Sequence, residues 1–376
     1  MRKDEMALFD EAPAPVVDPE SLRRSRRERI GWGLLTAAVV IGLVFGLLPS
    51  PYVIEQPGPV YDTLGSVEHE GEDVPLISIP DEQTYPTSGE LNLLTVSVVG
   101  RPGATPSWFE VLGAWFDQTR SAVPTEAIYP PGVSQEDRDA ENAAQMVDSQ
   151  QDAIAAALVE LGYDFPREVT VSSVLEGSPA DGVIEADDVI AAVNGEPVHS
   201  VDELRAAIAD NGTDAPGTFS IVRGEETLDV EVTPTENGGQ AVIGVGVQMA
   251  YEFPIDVELR LDDVGGPSAG MMFALGIVDK LTPGAMTGGD IIAGTGTIDS
   301  AGVVGAIGGI RQKLWGAEEA DADWFLAPAD NCAEVVGNVP AGMQVFSVST
   351  LDDARAIVEA IGDGADTSGF ATCEAS

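Results

Sequence analysis

The sequence runs to 376 residues, 44% of them hydrophobic, which is enough to bury two ordinary domain cores and excludes wholesale disorder. Its formal net charge of -45 is unevenly spread, because seven of the 18 Lys and Arg residues lie before position 30. The acidic remainder repels nucleic acid and anionic lipid, so neither is expected as its partner.

Residues 1–29 are polar and basic, and disorder is expected there. Residues 30–48, IGWGLLTAAVVIGLVFGLL, carry no charge. At ~1.5 Å per residue this run spans ~28 Å, close to the ~30 Å hydrocarbon core of a bilayer. Arg23, Arg24, Arg26, Arg27 and Arg29 precede it and acidic residues follow it. The pattern predicts a single-pass cell-membrane anchor with a cytoplasmic N-terminus and an exported, extracytoplasmic body. The length of the apolar run, and the lack of a small-x-small site after it, favour an uncleaved anchor over a signal peptide.

Residues 49–160 form a membrane-proximal region. Pro49, Pro51, Pro57 and Pro59 suggest an extended exit from the membrane. From Glu90, ELNLLTVSVVG reads as a strand. A short helical stretch, SWFEVLGAWFDQ, follows between prolines, and its Trp108, Trp115 and Phe116 are assigned to the core. Ser134 opens a long helical pattern ending near Leu161.

Residues 161–235 change to short strands with tight turns at Asp181-Gly182 and Asn194-Gly195, and one helix from Val201 to about Ala209. With its motif SPADGVIEADDVIAAVNGEPV, this stretch resembles a PDZ domain of the bacterial protease-associated type. The resemblance implies capture of an extended peptide C-terminus as an added strand, with loop amides holding the carboxylate. The corresponding loop is expected at Leu161, Gly162 and Tyr163. A purely structural spacer is the alternative.

Residues 236–362 carry the chemistry. Val257, Leu259 and Leu261 alternate as in a strand that runs into Gly265-Gly266-Pro267-Ser268-Ala269-Gly270, and an apolar helix continues to about Lys280. A serine at a glycine-flanked strand-to-helix turn is exposed, and the amides around Gly266 and Ala269 at the helix start can face an oxyanion. Serine is equally at home there as a plain N-cap.

A nucleophilic serine needs a base. His69 lies in an acidic loop and His199 follows the Gly-Glu-Pro-Val turn, so neither is placed to serve. Past the apolar run the only lysines are Lys280 and Lys313. Lys280 ends the helix that Ser268 begins, ~18 Å away, where it suits the helix C-terminus. Lys313 follows two strand-like runs with glycine turns, in a helix opening near Gly309, between Ile310, Leu314 and Trp315. Burial there would lower its pKa enough to make it a base.

GGPSAG, followed 45 residues after its serine by the lysine of IGGIRQK, resembles the proteolytic domain of Lon proteases. The resemblance implies that Ser268 is the nucleophile, Lys313 the second member of a Ser-Lys dyad, and Thr295 an auxiliary group near the lysine amine. It extends to ELNLLTVSVVG and the helix before Leu161, which would make the PDZ-like unit an insertion. The order of anchor, PDZ and Lon-type unit resembles membrane-anchored PDZ–Lon proteins of Gram-positive bacteria. No Gly-x-x-x-x-Gly-Lys-Ser/Thr loop occurs, so ATP-independent cleavage is expected. A homo-oligomer, in the family's form a hexameric ring, is implied by the resemblance only.

The expected fold is therefore α+β, a Lon-type proteolytic domain with a β-rich PDZ-like module and one transmembrane helix. The expected activity is serine endopeptidase action on extracytoplasmic proteins or peptides, with no cofactor and no metal. Cys332 and Cys373, outside any CxxC pair, are read either as one disulfide or as two free thiols. Residues 363–376 are read as an acidic flexible tail. The rival readings are a non-catalytic membrane scaffold that holds protein C-termini and a Ser-His hydrolase.

Overall fold

In the computed structural model, which describes residues 19–69, 71–261 and 264–373, the apolar run near the N-terminus belongs to one helix, α1 (Pro19–Leu47). Its segment Glu28–Gly46 is long and apolar enough to cross a membrane, and its large side chains stand clear of the rest of the protein. Residues 19–29, expected to be disordered, instead extend this helix. Arginine, glutamate and leucine are good helix formers, and an apolar helix already in place removes the nucleation cost. Residues 1–18 of the basic segment lie outside the described residues.

The proline-bearing segment after α1 is not a free linker. Residues Tyr52–Asp62 form β1, which pairs antiparallel with both β2 (Glu90–Val99) and a short strand, Ser121–Pro124. The register slips between Pro57 and Val60, so a bulge absorbs the two prolines that cannot donate to a ladder. Gly58 is needed at the bulge: a Cβ there would stand 2.3 Å from the Thr95 hydroxyl oxygen.

Between the two paired partners of β1 runs α2 (Trp108–Phe116), and after them α3 (Gln135–Glu160), which Ser134 caps by accepting the Asp137 N–H. Of the aromatic residues assigned to the core, Trp108 is half-buried, whereas Trp115 and Phe116 are exposed. The helix is only nine residues long and buries Val111 and Ala114 instead.

The chain then builds a second sheet of antiparallel strands. In order across the sheet these are Glu226–Val232, Gly217–Arg223, Val189–Val193, Arg167–Val174 and, at the edge, Val245–Tyr251. Its core of Val169, Val171, Ile190, Phe219 and Ile221 is closed by Leu204 and Ile208 from α4 (Val201–Asn211). The Asn194-Gly195 turn has both residues at positive φ, as a two-residue hairpin turn demands.

Beyond this sheet the chain returns to the first one. The strands β3 (Ile291–Gly294), β4 (Trp324–Pro328) and β5 (Gln344–Val348) add in parallel to the far side of β2. The six-stranded mixed sheet thus takes three strands from before the second sheet and three from after it. Side chains alternate across it. Leu93, Ile292, Leu326 and Phe346 face the core formed with α3, α5 (Gly270–Leu281) and α7 (Leu351–Gly362). Leu94, Ala293, Phe325 and Val345 face α6 (Ile310–Glu319) on the other side. Each fully buried Leu, Ile, Met or Phe contributes about 1.5–3 kcal/mol to holding these layers together.

Phe165 on the way into the second sheet meets Tyr251 and Phe253 on the way out, with ring centroids 6.4 and 5.5 Å apart. The Tyr251 hydroxyl donates to Asp152 of α3. Burial pushes the Asp152 carboxyl up to about 6, against that hydrogen bond.

Residues after Asp363 are not a free tail. Cys373 is bonded to Cys332, Thr372 bridges Phe346, and the Phe370 ring meets Phe346 at 6.3 Å. The disulfide reading of the two cysteines is therefore the one realised. Residues 374–376 of the tail lie outside the described residues.

Candidate active site

Ser268 stands on the turn that leads into α5. Gly266 has φ 89°, a conformation glycine adopts without strain. Gly265 and Gly270 let α3 and the 297–305 hairpin come close, since a Cβ on either would stand 2.9 Å from Asn142 or Ile298. Two bonds from α3 fix the turn: Gly266 N–H donates to the Asn142 carbonyl at 3.1 Å, and the Ser149 hydroxyl donates to the Pro267 carbonyl at 3.0 Å. The strand expected before the turn shrinks to Glu258–Leu259, paired with Ile77–Ser78.

The helix N-cap is Ala269, not Ser268, and it makes no side-chain capping bond. The N-cap alternative for Ser268 is thereby removed. Its carbonyl oxygen instead accepts from Gly296 N–H at 3.0 Å and from the Thr295 hydroxyl at 2.9 Å. Its side chain is half-buried and turned toward α6.

Lys313 lies one turn into α6. The N-cap Gly309 is left-handed at φ 67°, and a Cβ there would stand 2.7 Å from Val96, so the glycine lets α6 lie against β2. The Lys313 ammonium nitrogen Nζ is 2.8 Å from Ser268 Oγ and 2.9 Å from Thr295 Oγ1. Only 3% of the lysine is exposed, and burial alone pushes its pKa down from the ordinary 10.5 to about 7. Among the described residues no carboxylate offsets that burial. Thr295 is itself buried, and with its own proton committed to the Ser268 carbonyl its oxygen is left to accept from Nζ.

The three residues Ser268, Thr295 and Lys313, from three separate segments, thus lie within hydrogen-bond distance of one another. They open into a cleft of about 540 Å³ whose walls include Pro59, Tyr61, Val96, Pro267 and Gly308. Neither His69 nor His199 lines it. Lys280 lies elsewhere, its amine donating to the Leu64 carbonyl at 3.4 Å beside the Asp62 and Asp279 carboxylates. Of the two expected oxyanion residues, Ala269 keeps its place at the helix start, but the Gly266 amide is spent on Asn142. Asn142 and Ser149 were not legible as site residues. Their signal was two polar residues on one face of α3, two turns apart and flanking Met146.

Leu161, Gly162 and Tyr163 do not form a carboxylate loop. Their amides donate back to Ala157, Val159 and Leu158 and terminate α3, while Leu161 and Tyr163 pack against the core of the first sheet. The groove of the second sheet lies elsewhere, between α4 and the segment Ala241–Val247, with a volume of about 990 Å³. Val201, Leu204, Arg205 and Ile208 form one wall, and Ile243, Gly244 and Val245 lead into the edge strand Val245–Tyr251. Gly244 at φ 80° packs on Ser178 so closely that a Cβ would stand 2.2 Å from it. An edge strand beside an apolar helix wall is the geometry into which an extended peptide can add.

Comparison with known proteins finds two matching families, though the first match begins at the start of α3, which packs against the first sheet, and ends before the edge strand Val245–Tyr251. Residues 132–233 match the family model of the PDZ domain, and residues 263–360 match that of the Lon protease (S16) C-terminal proteolytic domain. "Lon protease 1" of Sorangium cellulosum is 40% identical over 94 residues, 24% of this chain and 11% of that protein. The "Periplasmic pH-dependent serine endoprotease DegQ" of Escherichia coli is 42% identical over 74 residues, 19% of this chain and 16% of that protein. Among solved structures, the PDZ domain of an SdrC-like protein from Listeria innocua is 24% identical, covering 21% of this chain and 92% of its own, with a TM-score of 0.20. The match spans 11% of the length of the first curated relatives. The chain therefore contains a PDZ domain and, C-terminal to it, a proteolytic domain of the Lon type.

Proposed function

We propose that the protein is an ATP-independent serine endopeptidase that is anchored in the cell membrane by α1 and cleaves extracytoplasmic proteins or peptides with a Ser268–Lys313 dyad. The observation that supports this most is the 2.8 Å approach of Nζ to Ser268 Oγ in a setting that holds the amine near neutral. The disulfide between Cys332 and Cys373 fits an oxidising compartment. The PDZ domain is read as an insertion in the proteolytic domain, because strands from both sides of it share one sheet. Its groove serves to hold substrate segments or C-termini.

The chemistry is acyl transfer. Neutral Lys313 accepts the Ser268 hydroxyl proton as Oγ attacks the peptide carbonyl carbon. The oxyanion develops at the N-terminal end of α5, where the amides around Ala269 and the helix dipole favour negative charge. The Lys313 ammonium then returns the proton to the leaving amine. Water, deprotonated by the same lysine, hydrolyses the acyl ester and frees Ser268. Thr295 directs the amine's lone pair toward Ser268 by accepting one N–H and donating to the Ser268 carbonyl. An unfolded protein substrate incubated without nucleotide tests the proposal. Cleavage should occur with the unaltered chain and disappear in both Ser268→Ala and Lys313→Ala. Undiminished turnover in either folded variant would sink it.

A further inference from the structure

We infer that α2 is an interfacial helix, seated in the membrane–water boundary beside the end of α1 with Phe109, Leu112, Trp115 and Phe116 in contact with lipid. The inference rests on the anchor reading of α1 and adds to it a second, independent membrane contact.

The helix is rigidly mounted. Ser107 and Glu110 close a capping box at its start, and Val111 and Ala114 are buried. The Tyr52 ring meets Trp108 and Trp115 edge-on at 5.9 and 6.5 Å. Its other face is apolar and uncovered: Phe109 is 56% exposed, Leu112 46%, Trp115 58% and Phe116 84%. Outside α1, the exposed Phe and Trp side chains among the described residues all lie on this one helix. Four large apolar side chains open to water on nine residues need a partner.

The position of the helix says which partner. The Phe109 ring packs on Gly46, the last residue of the apolar span, so tightly that a Cβ on Gly46 would stand 1.7 Å from the ring. Just beyond, Ser50 N–H donates to the Pro106 carbonyl at 3.0 Å, and Pro49 bridges Ser107. The exposed face is therefore held at the level where α1 leaves the hydrocarbon. Tryptophan concentrates at that depth, and amphipathic helices with Trp, Phe and Leu on one face lie about 5–10 Å into the headgroup boundary. The helix has Glu110 and no Lys or Arg, so apolar burial drives the contact and anionic headgroups are not required. One consequence concerns the reaction. The strand β1 begins at Tyr52 and supplies Pro59 and Tyr61 to the Ser268 cleft, so a rigid seat holds that cleft within ~30 Å of the start of β1, at ~3.3 Å per strand residue.

The test uses the full chain reconstituted in phosphatidylcholine vesicles, with one fluorophore attached to Phe116→Cys, Val339→Cys or Leu35→Cys. The bonded Cys332 and Cys373 do not react with the label. A nitroxide placed just below the lipid headgroup should quench the label at 116 several-fold more than a neutral water-soluble nitroxide does, and the order should reverse at 339. If the label at 116 behaves like that at 339 while the label at 35 is lipid-quenched, the anchor stands and the interfacial helix is wrong. If 116 is shielded from both quenchers, a second protein copy covers the face and the inference is equally wrong. If 35 itself escapes lipid quenching, the anchor reading fails and takes the interfacial helix with it.

Discussion

Lys313 Nζ lies 2.8 Å from Ser268 Oγ and 2.9 Å from Thr295 Oγ1, and burial brings the pKa of the amine down to about 7. The base is active when deprotonated. With a pKa of about 7, kcat/KM for peptide cleavage should rise about tenfold per pH unit below pH 7 and level off above it. A rate profile flat between pH 5 and 8 would show that another group carries the proton.

The same depression costs stability. Below pH 7 the lysine is protonated in both the folded and unfolded states and the full penalty, on the order of 5 kcal/mol, is present. Between pH 7 and 10.5 the unfolded chain binds the extra proton, so stability from this group rises with pH, and above 10.5 the penalty is gone. Replacing Lys313 with Met should therefore raise Tm at pH 6, with the gain shrinking as pH approaches 10.5. Scanning calorimetry of the two proteins across that range measures it.

Thr295 acts through Lys313 rather than on substrate. Thr295→Val should lower kcat/KM roughly 10–100-fold, mostly in kcat. It also removes an acceptor that favours the ammonium form, so the acidic limb of the pH profile should shift to lower pH. Thr295→Ser should restore both quantities, and a Val variant with an unmoved limb would leave Thr295 a packing residue.

The Cys332–Cys373 bond closes a sequence separation of 41 residues. Loop-closure entropy for that length is about 4 kcal/mol, so the Cys332→Ser, Cys373→Ser double variant should unfold at markedly lower denaturant, with residues after 363 cut first by added protease. Unchanged midpoints in oxidising buffer would mean that Phe370 and Thr372 suffice to hold this segment.

Leu175 is 68% exposed and lines the PDZ groove, so Leu175→Glu should leave the fold intact. The added charge opposes a peptide carboxylate and removes apolar contact, and affinity for an extended peptide with a free C-terminus should fall about tenfold, or about 1.4 kcal/mol. Titration calorimetry with such a peptide reads the loss. Equal affinity would place the peptide outside this groove.

Much of the site could be read from the sequence because it depends on residue scarcity. Two lysines past the apolar run left one candidate base, and the 45-residue spacing from Ser268 to Lys313 matched one proteolytic pattern. The peptide loop was misplaced because glycine alone does not say what its neighbours' amides do. Gly162 ends α3, whereas Gly244, just before the edge strand Val245–Tyr251, marks the groove. The prolines around Gly58 read only as an extended exit, and their place in a sheet was missed because a bulge that needs no amide donors leaves no sequence period. Trp115 and Phe116 looked like core because large aromatic side chains are usually buried, whereas the nine-residue α2 leaves both exposed.

The dyad itself is tested most directly by a serine-reactive phosphonate probe, with the adduct located and quantified by mass spectrometry. Stoichiometric labelling at Ser268 is predicted above pH 7, together with its loss in Lys313→Ala variants that melt as folded proteins. Labelling of Ser268 that persists at the same rate without Lys313, or that falls on another residue, would contradict it.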